Sequence, residues 1–177
     1  MNILRLARLT EIERLNELIT ESAEVLSRGY YTPEETASLT RYVFGVDTQL
    51  LTDRSYYVIE REGALLACGG WSARRNLFGG DQAKEGVDPL LDPNTEAARI
   101  RAFFVHPSAV RQGLGRRLLA HCEAAAAAAG FRRLELMATL PGEPFYRGLG
   151  YEALEVVKHE LPDGRSVRLV RMGRSLG

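Results

Sequence analysis

The residues of this chain best suited to chemistry gather in one stretch, HPSAVRQGLGRRLLAHCEAAAAAAG, from His106 to Gly130. Gly113 and Gly115 stand where a polar loop enters an alanine-rich helix. Glycine there removes the Cβ atoms that shield the backbone, and a helix entry leaves several N–H groups without intrahelical partners. Those donors, the positive end of the helix dipole and the flanking Arg111 and Arg116 form a cradle for an anion such as phosphate or pyrophosphate. A GxG before a helix is equally a plain tight connection, so the motif alone leaves both readings open. It lacks the lysine and Ser/Thr of a P-loop, and it is not a GxGxxG following the first strand. Downstream, PFYRGLGY sets Tyr146 beside Phe145, where a phenol is either a proton donor or a core aromatic.

Candidates for a general base are Glu60, Glu96, His106 and His121, and each has an ordinary structural reading. A water chain competes with all four. Arg101 interrupts an apolar strand and needs a partner if buried; an acid of the chain and a substrate carboxylate both qualify. Cys68 and Cys122 sit in apolar runs without CxxC or metal-ligand spacing. Buried thiols are expected there, in a reducing cytoplasm, and no metal site.

The elements that must position these groups follow from the patterning. A chain of 177 residues has the size of one domain with a real core, so a single domain over residues 1–177 is expected. Its 23 basic and 23 acidic residues balance, which leaves no global field for nucleic acid or an anionic membrane. Arg5, Arg8 and Glu11 break up the apolar residues of the N-terminus, against a signal peptide, and no apolar run approaches membrane-spanning length. A cytoplasmic location is expected.

Ile3 to Leu9 alternates as a half-buried strand does. Thr10 with Glu13 predicts a capping box at the start of a first helix ending near Gly29. TPEETASLTRYVFG predicts a second helix, Thr32 as its cap and Pro33 at its first position. SYYVIEREGALLACGGWSA predicts a hairpin turning at Glu62 and Gly63. From Arg74 to Thr95 the composition turns to glycine, proline, asparagine and aspartate. A structureless loop of about twenty residues is uncommon in a compact domain and predicts a functional flap or a mobile insertion at about 74–95. ARIRAFFV forms the next strand. The helix after it predicts a stripe of Leu114, Leu118, Cys122, Ala125 and Ala129, closed by Gly130, its alanine run packing closely on a sheet. RRLELMATL, a short turn, and a hairpin turning at Asp163 and Gly164 complete an α/β (α+β) chain with a mixed, largely antiparallel sheet.

VHPSAVRQGLGRRLL, followed some thirty residues later by PFYRGLGY, resembles the GNAT superfamily of acyl-CoA-dependent N-acyltransferases over about Arg99 to Glu152. The resemblance implies a mostly antiparallel seven-stranded sheet with splayed central strands, flanked by about four helices. It implies acetyl-CoA as acyl donor and a primary amine of a small molecule or peptide as acceptor, with direct attack of the amine. Phe103, Phe104 and Val105 would offer main-chain groups to the pantetheine arm, and Arg111, Gln112, Gly113, Leu114, Gly115 and Arg116 would surround the pyrophosphate. The Val105 N–H would meet the oxyanion, and Tyr146 would stand near the sulfur as an acid. Two positions depart from the family pattern. Val110 stands where an arginine or glutamine is usual, and Met137 lies near the position of a glutamate, which leaves the base unassigned.

The acceptor side would then fall to the N-terminal helices and the insertion. Tyr30, Tyr31 and Trp71 there are either an aromatic wall around an amine or ordinary core and loop aromatics, and Arg101 is a candidate for a substrate carboxylate. A homodimer is compatible with this reading. The alternatives are a non-catalytic acyl-CoA-binding or sensing module and a nucleotide-binding domain of another class.

Overall fold

The structure is a computed structural model describing residues 1–177. Seven strands form one sheet in the order β1-β2-β3-β4-β5-β7-β6. In chain order these are β1 (Ile3–Leu6), β2 (Tyr56–Arg61), β3 (Ala64–Ser72), β4 (Ala98–Val105), β5 (Arg133–Ala138), β6 (Glu152–Glu160) and β7 (Ser166–Ser175). Five helices join them: α1 (Ile12–Leu26), α2 (Pro33–Tyr42), α3 (Thr48–Thr52), α4 (Leu114–Ala128) and α5 (Glu143–Gly148). All neighbours pair antiparallel except β4 and β5. No helix is long and apolar enough to cross a membrane.

The strand period of two sorts residues onto two faces. Val58 and its cross-strand partner Cys68 pack with Leu15, Leu18 and Ile19 of α1. Ile59 and its partner Ala67 pack with Leu114 and Leu118 of α4 on the other face. The sheet is therefore the middle layer between α1 and α4.

Three local expectations need correction. The capping box is made by Arg8 and Glu11 rather than Thr10 and Glu13: the Arg8 N–H donates to Glu11 Oε2 at 2.9 Å, and a 3₁₀ turn over Leu9–Glu11 precedes α1. Glu11 is buried because Arg5 neutralises it. The α4 stripe runs through Ala126, not Ala125 and Ala129, since only one face of a helix reaches the sheet. Ala127, Ala128 and Ala129 are exposed, so the alanine run reflects helix propensity more than close packing. A further helix, α3, five residues capped by Asp47, is not expected from the sequence, being too short to show a period.

The positioning feature is the junction of β4 and β5, which pair only through Ala98↔Leu134 and Arg99↔Glu135 before parting. Just beyond, Ala102 and Phe103 together oppose Gly69 of β3, a bulge with Ala102 at φ +52°. The bulge bends β4 away from β5. Gly69 is required there, because a Cβ on it would lie 2.5 Å from Phe103 Cδ1.

The 74–95 segment is bound to the body of the protein. Arg74 pairs with Asp53 at 2.7 Å, Gly80 N–H donates to Val43 O, and Leu91 N–H to Ala73 O. Its innermost tie is ionic. Asp47 accepts from Arg101 Nη2 at 3.1 Å and from Lys84 Nζ at 2.7 Å, while Arg101 Nη2 also donates to Gly79 O at 2.7 Å. Asp47 and Arg101 are both fully buried. Arg101→Met leaves the carboxylate with one of its two cations and should cost roughly 3–5 kcal/mol of unfolding free energy, measured by urea denaturation.

Candidate active site

The parting of β4 and β5 opens a cavity of about 750 Å³ reached from both faces of the sheet. On the α4 face it is lined by Val110, Arg111 and Gly113 to Arg116, with Pro144, Phe145 and Tyr146 of α5 opposite. Phe103, Phe104 and Val105 run along its middle. On the α1 face it ends against Leu26, Phe44, Leu77 and Phe78.

The loop into α4 is built for donors. Arg111 (φ +60°) and Gly113 (φ +77°) are both left-handed, a backbone turn that points successive N–H groups into one concavity. The main-chain N–H groups from Arg111 to Arg116 have no protein acceptor; the first donor of the helix is Arg117, to Gly113 O. Gly115 serves another purpose: its Cβ would meet Phe145 Cζ at 3.2 Å, so glycine lets α5 approach the first turn of α4. Arg111 and Arg116 add positive charge at this end.

The edge of β4 facing the cavity is free beyond Arg99. His106 N–H donates to Leu66 O of β3 at 2.7 Å, and the alternation of a strand therefore directs the Val105 N–H to the opposite edge, across the gap. Phe103 and Phe104 lean to opposite faces, Phe103 toward Tyr146 (ring centroids 6.5 Å apart) and Phe104 onto Phe44 (5.4 Å). Tyr146 is held among Phe145, Tyr151 and Phe103 by edge-on ring contacts. Burial raises its phenol pKa well above the ordinary value, with the neighbouring Cys122 adding to the shift. The phenol is thus protonated throughout the neutral and mildly alkaline range.

Most of the predicted anion and main-chain residues converge on this one cavity, Gln112 being the exception. The Gln112 side chain is turned outward, its Oε1 accepting from Arg61 Nη2 at 2.8 Å. The expected aromatic wall does not form. Tyr30 is exposed. Tyr31 is buried, its hydroxyl donating to Arg168 O and accepting from the Leu140 N–H. Trp71 packs edge-on against Phe131. Arg101 faces Asp47 instead of the cavity, which removes it as a partner for a substrate carboxylate.

The base candidates are all placed elsewhere. Glu60 is paired with Arg5, Glu96 accepts from the Asp92 N–H, and His121 is exposed against Tyr57. His106 holds Ser108 Oγ at 2.7 Å and Glu21 Oε2 at 2.8 Å. None of the four lines the cavity.

Sequence reasoning missed the wall on the α1 face. Leu77 and Phe78 are one of two apolar pairs in the insertion, the other being Leu90 and Leu91, and Phe44 lies two residues past the end of α2. The Leu77–Phe78 pair was the available signal. Met137 also lines the cavity, at the position where the resemblance led to expecting an acid.

The model of the acetyltransferase (GNAT) family matches residues 9–151. The fold is similar to a GCN5-related N-acetyltransferase from Rhodopseudomonas palustris (TM-score 0.70, 16% identity, 99% of this chain and 96% of that one). It is similar to the PaiA N-acetyltransferase from Thermoplasma acidophilum in complex with coenzyme A (TM-score 0.66, 14% identity, 99% of both chains). A phosphinothricin acetyltransferase from Sinorhizobium meliloti in complex with AcCoA also matches (TM-score 0.63, 21% identity, 99% of this chain and 89% of that one). No curated protein matches the sequence. The family match covers most of the chain, and the splayed sheet agrees with it: this protein belongs to the acetyltransferase (GNAT) family and is an acyltransferase.

Proposed function

We propose that the protein transfers an acetyl group from acetyl-CoA to a primary amine of a small molecule or peptide by direct attack of the amine. One observation carries the proposal. Arg111 and Gly113 to Arg116, whose N–H groups are unpaired, line the same cavity as the free edge of β4 and Tyr146. The donor set suits an acyl-CoA: a concave run of amides with two arginines for a diphosphate, then an unpaired strand edge and apolar walls for an amide-bearing arm. Two of the similar structures hold coenzyme A or AcCoA.

Acetyl-CoA supplies an activated thioester whose carbonyl is open to attack and whose thiolate can leave. The chain's own groups do the rest. The loop amides and Arg111 and Arg116 anchor the diphosphate. The Val105 N–H, directed across the gap, donates to the negative charge that develops on the acyl oxygen. Tyr146, kept protonated by burial, gives its proton to the departing sulfur. Phe103, Phe145 and Leu114 keep water from the reacting centre.

Coenzyme A at about one hundred times its dissociation constant should add about 2.7 kcal/mol of folding stability, read as a thermal shift. Gly113→Ala places a Cβ in the left-handed region at a cost of about 1 kcal/mol; the shift induced by coenzyme A should shrink far more than the stability of the free protein. Tyr146→Phe should lower kcat about 10²-fold or more in a free-thiol assay while leaving that shift unchanged. An undiminished kcat removes Tyr146 as the acid.

A further inference from the structure

We infer that the acceptor is an aromatic amine, apolar and uncharged at neutral pH; the inference rests on the acetyltransferase reading above and specifies its acceptor. The lobe of the cavity on the α1 face is walled by Leu26, Phe44, Leu77, Phe78, Phe104 and Met137, with Ser22 and Ser27 of the α1 end beside them. Leu26 and Leu77 belong to none of the four core clusters and are only half-buried. They are apolar surface facing the cavity with no core to serve. The cavity lining contains no aspartate, glutamate, histidine or lysine, and its only ionic side chains are Arg111 and Arg116 at the far, cradle end.

Asp47 and three carbonyls near the lobe are already engaged, which leaves the Ser22 and Ser27 hydroxyls, neutral dipoles rather than a countercharge. Asp47 is saturated by Arg101 and Lys84. The Phe44 carbonyl accepts from Gln82 Nε2, Val43 O from the Gly80 N–H and Gly79 O from Arg101. An ammonium moved from water into such a lobe loses several kcal/mol of hydration. Facing rings return about 0.5–2 kcal/mol as cation–π attraction, so the neutral form wins. An acceptor carboxylate fares no better, Arg101 being taken. What fits is a flat apolar body lying against Leu26, Leu77, Phe78 and the Phe44–Phe104 ring pair, bearing an NH₂ group too weakly basic to be protonated at neutral pH.

This acceptor also accounts for the missing base. The C–N bond forms as the C–S bond breaks, and the sulfur takes the electron pair and one proton from Tyr146. The nitrogen sheds one proton, which restores the phenol. The exchange balances within the site. An ammonium would carry a further proton needing a separate acceptor, and none of the carboxylates or imidazoles lines the cavity.

The test compares 4-methylaniline with 4-methylbenzylamine, two acceptors of similar shape and very different basicity, by thiol release from acetyl-CoA with the full-length chain. The expected result is a kcat/KM at least about tenfold higher for 4-methylaniline near pH 7, and a profile for it that is flat between about pH 6 and 9. Leu77→Glu sets a carboxylate in the lobe without disturbing a core cluster. It should reverse the preference, with Leu77→Gln keeping the wild-type order and the coenzyme A thermal shift reporting an intact fold in both. A wild-type preference for the benzylamine, rising about tenfold per pH unit, overturns the inference and leaves the acetyltransferase reading standing. The same follows if neither amine releases thiol while coenzyme A stabilises the protein. If coenzyme A gives no shift at all, the acetyltransferase reading falls with it.

Discussion

The site depends on two strands ceasing to pair. β4 and β5 share only the Ala98 and Arg99 rungs, and at that end Glu135 is clasped by Arg99 of β4 and Arg171 of β7, each at 3.2 Å. One step further the bulge at Ala102 and Phe103 begins. The strands are thus fixed where they meet and bent apart immediately afterwards. The gap leaves main-chain groups unpaired beside a cavity, an arrangement usually costly inside a protein. Tyr56 steadies the bulge, its hydroxyl donating to Ala102 O at 2.7 Å.

Everything with chemical potential is then a matter of what each face brings to the gap. The α4 face supplies amides and arginines, because a helix starts there with two left-handed residues ahead of it. The α1 face supplies mostly carbon, because the helix end and the insertion meet it with leucine and phenylalanine, and its polar side chains there, Ser22 and Ser27, are uncharged. Charge at one end and hydrocarbon at the other make a polarised tunnel. Tyr146 sits between them with its proton secured by burial.

Much of this was legible in the sequence. The glycine spacing before α4, the Thr32 and Pro33 start of α2 and the two hairpin turns are local signals, set by backbone conformations only certain residues tolerate. The loop at Arg111 to Arg116 was legible for the same reason. The acceptor side was not, since Tyr30, Tyr31 and Trp71 are conspicuous by type while their placement is decided by contacts far along the chain. Tyr31 illustrates this: its two hydrogen-bond partners, Leu140 and Arg168, lie 109 and 137 residues away. Arg101 and Asp47, 54 positions apart, are a pair of the same kind. No periodicity reports such partnerships.

The ionic tie beneath the insertion also separates what can vary from what cannot. Asp47 caps α3, holds Lys84 and meets Arg101, so exchange of any member is felt in several elements together. Leu77, suspended between those anchors, supports nothing but the chamber it faces. The geometry resembles an interchangeable panel on fixed hinges: drift in the panel would retune which molecules are admitted, generation after generation, while the transfer machinery behind it stays as it is.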